Sequence, residues 1–252
     1  PDAVLPEYHS KTLRKRLGKL KAGEAVGEPA GPTHGKVALF ATCYGNYNEP
    51  HVGEDLVAVF EHNGIPVTLA EKERCCGMPK LELGDMQAVA RSKETNIPVL
   101  ARLVDEGWDI VAPVPSCVLM FKQELPLMFP DDPDVAKVRD AMYDPFEYLM
   151  LRHKYGKLRT DFKQPLGKVA YHAACHQRVQ RIGPKTKEAL ALIPGVSRSG
   201  TTIASGMLEG FEHREGASLA FLWYNVVGAV TVFLVGLLIT AVAPGSRPAG
   251  ER

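Results

Sequence analysis

Apolar positions along this chain alternate between short continuous runs and longer stretches at helical spacing. Residues 36–41 (KVALFA) are a short apolar run, the pattern of a buried strand. Residues 50–63 place Val52, Leu56, Val59 and Phe60 at helical spacing and stop at Asn63-Gly64, a helix-ending pair. Residues 65–69 predict a second strand, and 84–106 a long helix closed by Gly107. A third strand is predicted at 109–114 and a helix at 117–128, stopped by Pro130. Residues 144–155 predict a helix with Asp144 as N-cap and Pro145 at its first position. Residues 168–172 (KVAYH) predict a fourth strand and 185–192 a further helix. This order gives an α/β fold, a parallel sheet with helices on both faces. Ahead of it, residues 1–35 read as a basic segment and linker. Lys11, Arg14, Lys15, Arg16, Lys19 and Lys21 fit a solvated linker, or the tail of an upstream domain, better than a short basic helix. Residues 22–35 are rich in Gly, Pro and Ala without periodicity.

The net charge of +1 gives no global field that would draw nucleic acid, and none is expected as a partner. The average hides an asymmetry, because residues 216–246 contain no Asp, Glu, Lys or Arg. The five cysteines change the picture more. Cys43 follows the first predicted strand, Cys75 and Cys76 the second, Cys117 the third and Cys175 the fourth. Ligands and reacting groups of parallel sheets gather at the carboxyl ends of the strands. Thiols placed there five times over point to a shared site rather than to scattered core cysteines. The N-terminus shows no signal-peptide pattern, so a reducing compartment is expected. There, grouped cysteines favour metal binding over disulfides. Adjacent cysteines in a strand would face opposite ways, but a turn relaxed by Gly77 can bring Cys75 and Cys76 to one centre. Soft thiolates suit an iron–sulfur cluster or a zinc ion, and the residues alone leave both open. His172 and His176 flank Cys175 and are read as ordinary loop histidines rather than ligands.

Cys43, Cys75-Cys76-Gly77, Pro115-Ser116-Cys117 and Tyr171-His172-Ala173-Ala174-Cys175-His176 resemble the cysteine-rich CCG-domain family over residues 36–194. That family includes the B subunit of heterodisulfide reductase, iron–sulfur subunits of glycolate and lactate oxidation systems, and the C subunit of anaerobic glycerol-3-phosphate dehydrogenase, a type this chain resembles. The resemblance implies a cofactor held by Cys43, Cys75, Cys76, Cys117 and Cys175, with the first four as ligands of a 4Fe-4S cluster or, in some members, of zinc. Cys175 would open a second motif, but no further Cys-Cys-Gly or Cys-Ser-Gly follows it. Met120 stands where some members carry another cysteine. There is no C-x-x-C-x-x-C run, so the resemblance implies an electron donor on another chain, a ferredoxin-like or dehydrogenase partner, or on a missing segment.

At residues 193–195 the character changes. Residues 193–203 (IPGVSRSGTTI) resemble the Pro-Gly-x-Ser-Arg-Ser-Gly motif of undecaprenyl pyrophosphate phosphatase. That resemblance implies pyrophosphate contacts from Ser197, Arg198 and Ser199, and a forked guanidinium among hydroxyls suits phosphate chemically. The acidic motif that would complete such an active site has no match in this chain. Residues 221–242 are uncharged and long enough for one membrane-spanning helix, with Trp223 and Tyr224 as interfacial anchors. Residues 195–252 are therefore expected to be a phosphatase-like motif followed by a C-terminal hydrophobic helical segment, through a natural or an artificial fusion. Three functions follow. The leading one is an iron–sulfur electron-transfer subunit passing electrons toward a quinone or another carrier, in the cytoplasm or at the cytoplasmic face of the inner membrane. The others are lipid-pyrophosphate binding or hydrolysis, and a zinc-stabilised interaction scaffold.

Overall fold

The computed structural model describes residues 7–18, 20, 26–166, 169 and 171–196. In chain order the elements are α1 (Leu13–Leu17), β1 (Val37–Leu39), α2 (Cys43–Tyr47), α3 (Pro50–His62), β2 (Val67–Leu69), α4 (Met78–Glu82), α5 (Met86–Asp105) and β3 (Asp109–Val111). They continue with α6 (Pro115–Leu119), a π-helical turn (Met120–Glu124), α7 (Leu125–Met128), α8 (Pro133–Ala141), β4 (Met142–Tyr143), α9 (Pro145–Lys154), α10 (Cys175–Arg178) and α11 (Lys185–Leu190).

The four strands form one parallel sheet in the order β2-β1-β3-β4. Its side chains alternate between two cores, as a period of two requires. Val37, Leu39, Val111 and Tyr143 face a core shared with Leu56, Phe60 and Leu149. Ala38, Ile110 and Met142 face the opposite core, with Ile97, Leu100, Phe121 and Val138. Helices thus cover both faces, which is why the strands read as unbroken apolar runs. Because β1 lies between β2 and β3, the chain reverses its direction of travel across the sheet at β1, and a crevice opens beyond the carboxyl ends of β1 and β3.

The fourth strand corrects the sequence expectation. It is Met142–Tyr143, two residues between α8 and α9, while Val169, Tyr171 and His172, the described residues of the predicted 168–172 strand, belong to no strand. Val169 and Tyr171 pack instead with Phe146, Leu190 and Ile193 in a third cluster, so the apolar run there serves the α9–α11 layer. Cys175 accordingly does not follow a strand of this sheet.

Within residues 1–35 most described positions are exposed, but a few are anchored on the domain, more than a solvated linker would be. Leu13 is fully buried, and α1 approaches α3 so closely that a Cβ on Gly53 would lie 2.2 Å from Leu13 Cδ2. Residues 26–35 are held by the buried Asp109 carboxylate. It accepts hydrogen bonds from the backbone N–H groups of His34 (2.7 Å) and Gly35 (3.2 Å) and from the Tyr148 hydroxyl (2.9 Å). Arg152, also buried, donates to the Glu28 carbonyl (3.0 Å).

Among the described residues no helix is long and apolar enough to cross a membrane. The expected span at 221–242 and the phosphatase-like residues Ser197, Arg198 and Ser199 lie outside the described residues.

Candidate metal centre

Three loops leaving the carboxyl ends of adjacent strands bring four cysteines together. After β1, Thr42 takes φ +63°, an unusual conformation for a β-branched residue, and caps α2 by accepting from Gly45 N–H at 2.9 Å. Cys43 is the first residue of α2. After β2 the chain runs through Cys75 and Cys76 to Gly77, whose φ of +101° turns it into α4. A side chain at that angle would be strained, so Gly77 meets the requirement the sequence suggested. After β3, Pro115 opens α6, which carries Cys117.

The thiols of Cys43 and Cys75 are 3.9 Å apart. Cys75 also interacts with Cys76, and Cys76 with Cys117, so the four thiols form one connected group. Cys43 is exposed, Cys75 half-buried, and Cys76 and Cys117 are buried. Hydrogen bonds from the Cys43 and Cys76 thiols, helped by the Gly77 N–H and by Lys80, draw the Cys75 pKa far below the ordinary thiol range. The same bonds act oppositely on the donors. Cys43 is pushed up by its bond to Cys75, and Cys76 by its bonds to Cys117 and Cys75 together with burial. One thiol ionises readily and its neighbours then resist, because they donate to it, are desolvated and lie beside its negative charge. A bound metal would supply the compensating positive charge and favour the thiolates.

The donor set fits a thiophilic metal group in kind, with four soft sulfurs converging from three loops. The spacing is informative as well. Metal–sulfur bonds of ~2.3 Å place tetrahedral sulfurs about 3.8 Å apart, close to the Cys43–Cys75 separation. As they stand, no group of three or more His, Cys, Asp or Glu among the described residues has finished metal-holding geometry, so loading requires side-chain rotation.

Two buried polar side chains brace these loops, and neither was anticipated from the sequence. Glu73 accepts from Ala41 N–H at 2.9 Å and pairs with Arg14 of α1 at 3.0 Å, tying the loop before Cys75 to the loop before Cys43. Burial pushes its pKa up to about 7, against the lowering effects of Arg14 and the Ala41 and Thr42 N–H groups. Asn96 on α5 accepts from Arg74 N–H at 2.8 Å and donates to the carbonyls of Arg74 and Cys75, each at 3.2 Å. One signal was present. Asn96 stands seven residues from both Val89 and Leu103, on the helix stripe that both bury.

Cys175 is exposed at the start of α10, and its thiol is not part of the connected group. Its neighbours nevertheless dock on the Cys117 helix. His176 Nδ1 lies 2.7 Å from Ser116 Oγ, and Gln180 donates to the Pro115 carbonyl at 3.0 Å. His176 Nε2 is 3.9 Å from Glu82 of α4, so this histidine is engaged in packing contacts around the cysteine loops.

Residues 37–122 match the model of the CCG cysteine-rich domain, and residues 186–246 match that of bacitracin resistance protein BacA. The C subunit of anaerobic glycerol-3-phosphate dehydrogenase from Escherichia coli K12 is 30% identical over 194 residues, 77% of this chain and 47% of that one. Lactate utilization protein A is 32% identical over 162 residues in Bacillus cereus strain G9842, covering 62% of this chain and 64% of the relative. In Bacillus thuringiensis strain Al Hakam it is 34% identical over 146 residues, covering 56% and 57%. The chain thus spans about half to just under two thirds of the length of these relatives. No solved structure matches it. The second family match begins within α11, well beyond the end of the first at residue 122. The segment that carries Cys43, Cys75, Cys76 and Cys117 is a cysteine-rich domain of the CCG family.

Proposed function

We propose that residues 36–194 form an iron–sulfur electron-transfer domain, a redox subunit working with dehydrogenase and ferredoxin-like partners. Cys43, Cys75, Cys76 and Cys117 are the ligands in this reading. The observation that carries it is the convergence of four thiols at the carboxyl edge of one parallel sheet, in a domain whose relatives are named as a dehydrogenase subunit and a lactate utilization protein. When bound, a cluster supplies reversible one-electron storage, of the 4Fe-4S type in the finer form of this reading, with a quinone or another carrier as acceptor. The protein's part is to hold the thiolates, to exclude water around Cys76 and Cys117, and to direct N–H groups such as that of Gly77 at sulfur. Exposed Cys43 lies on the accessible side, where a partner's redox group can approach.

A second reading is favoured by the 3.9 Å separation of Cys43 and Cys75, which suits two thiolates on one ion. In it the site holds zinc and stabilises a docking scaffold without turnover.

Anaerobic purification followed by iron, sulfide and zinc analysis and electron paramagnetic resonance separates the two. Iron with sulfide and a signal that changes on reduction, both lost in Cys76→Ser, is the expected result. Stoichiometric zinc without a redox signal establishes the scaffold instead.

A further inference from the structure

We propose that Asn96 is a positioning residue for the double-cysteine turn, acting on the metal site through the peptide that joins Cys75 to Cys76. The proposal rests on the reading of the four thiols as ligands. Asn96 is 1% exposed and lies on the buried face of α5, where the neighbouring core positions Val89, Ile97, Leu100 and Leu103 are aliphatic. For stability alone an aliphatic side chain suits such a position, because a buried amide costs free energy unless its hydrogen bonds are made. Asn96 makes three, and all go to two consecutive residues of the cysteine loop.

The choice of partners gives the amide its role. Bonds to both the N–H and the carbonyl of Arg74 fix that residue's backbone, and the bond to the Cys75 carbonyl fixes the next peptide plane. That plane is the Cys75–Cys76 peptide, from whose two ends the thiol-bearing side chains depart. Neighbouring side chains in extended chain point apart. Holding this plane from one side by Asn96, and releasing the chain on the other through Gly77 at φ +101°, keeps both thiols in the connected group. Neither Cys76 nor Cys117 can compensate by moving freely, since both are buried.

Cobalt(II) is a suitable probe, because its thiolate charge-transfer absorption reports sulfur ligation whichever metal the cell supplies. The full-length chain, reduced and metal-free, is titrated with cobalt(II) against a competing chelator. In Asn96→Ala, affinity is expected to fall by about 10- to 100-fold, the usual effect of losing an outer-shell partner, with a changed charge-transfer band. Asn96→Asp keeps the acceptor for Arg74 N–H but loses the donor to the Arg74 and Cys75 carbonyls, and serves if Asn96→Ala does not fold; a loss of affinity with the same band change is expected. Ile97→Val and Leu100→Ala, core truncations of the same helix, are expected to lower thermal stability while leaving the band shape and affinity as in the wild type. Wild-type affinity and band in a folded Asn96 variant, or equal losses in the Asn96 and core variants, overturn the proposal. A wild-type chain that shows no thiolate–cobalt band overturns the metal reading itself, and the proposal with it.

Discussion

Cys43 and Cys75 come from different loops, yet their sulfurs are 3.9 Å apart, and Cys75 is held toward its thiolate by its neighbours. Side-chain rotation would have to close that gap to about 2.05 Å, so the pair that suits a shared metal ion is also the pair placed to be joined without one. Cys76 and Cys117, each 3% exposed, are shielded from reagents. Treatment of the reduced, metal-free protein with diamide, a two-electron oxidant, is therefore expected to link Cys43 to Cys75, seen as a cross-linked peptide in a non-reducing digest. Loading with metal beforehand is expected to suppress the link. A Cys76–Cys117 link formed first in the folded protein counts against the geometry described here.

At the scale of elements, close packing of α1 on α3 depends on the missing side chain of Gly53. Gly53→Val puts a branched group where Leu13 Cδ2 now sits, and Leu13 must leave. Since Arg14 follows Leu13 and pairs with Glu73, undocking also removes the cation beside that carboxylate. Trypsin is expected to cleave after Arg14 and Arg16 readily in Gly53→Val and slowly in the wild type, with the sheet core intact in both. This packing was not legible in the sequence, because six basic residues over thirteen positions masked Leu13 and its partly buried companions Leu17 and Leu20. The three longest helices with clear signals were legible. α9 is capped by Asp144 and Pro145 as its sequence indicates, and α3 and α5 end within about two residues of expectation. The sheet's fourth strand was not, since two residues cannot display a period, whereas KVAYH displays one and its Val169 and Tyr171 serve another layer. In the candidate site the thiols were legible because their chemistry is rare. Glu73 and Asn96 were not, because a buried polar brace is defined by a partner far along the chain. The π-helical turn within Pro115–Met128 was not legible either. Pro126 has no N–H to continue an α-helical ladder, and a π-helical turn precedes it.

For the whole molecule, the question is how the segment after residue 170 is fastened to the sheet. Apart from the apolar cluster around Phe146, Leu190 and Ile193, the joint is a buried polar network. Asp144 caps α9 with one oxygen, accepting from Phe146 and Glu147 N–H, and with the other accepts from Gln177 Nε2 at 3.2 Å. Gln177 in turn donates to Thr186 at 2.9 Å and accepts from the Tyr171 hydroxyl at 2.7 Å. Burial pushes Asp144 up from an ordinary 3.8 to about 6, with nearby Glu147 adding to the rise and the cap and Gln177 bonds opposing it. A folded-state pKa above the unfolded value means the folded protein binds the proton more tightly. The resulting stabilisation is fully present below about pH 4 and is lost as pH rises through about 6. Its size is up to about 3 kcal/mol for a shift of roughly two units. Asp144→Asn preserves a good N-cap and cannot ionise. It places an amide N–H against the Gln177 donor, a cost of about 1 kcal/mol that does not vary with pH. Urea unfolding measured from about pH 4 to pH 7 is therefore expected to show the wild type losing stability relative to Asp144→Asn as pH rises through about 6. A constant difference over that range would mean that Asp144 ionises normally and that the joint is open to water.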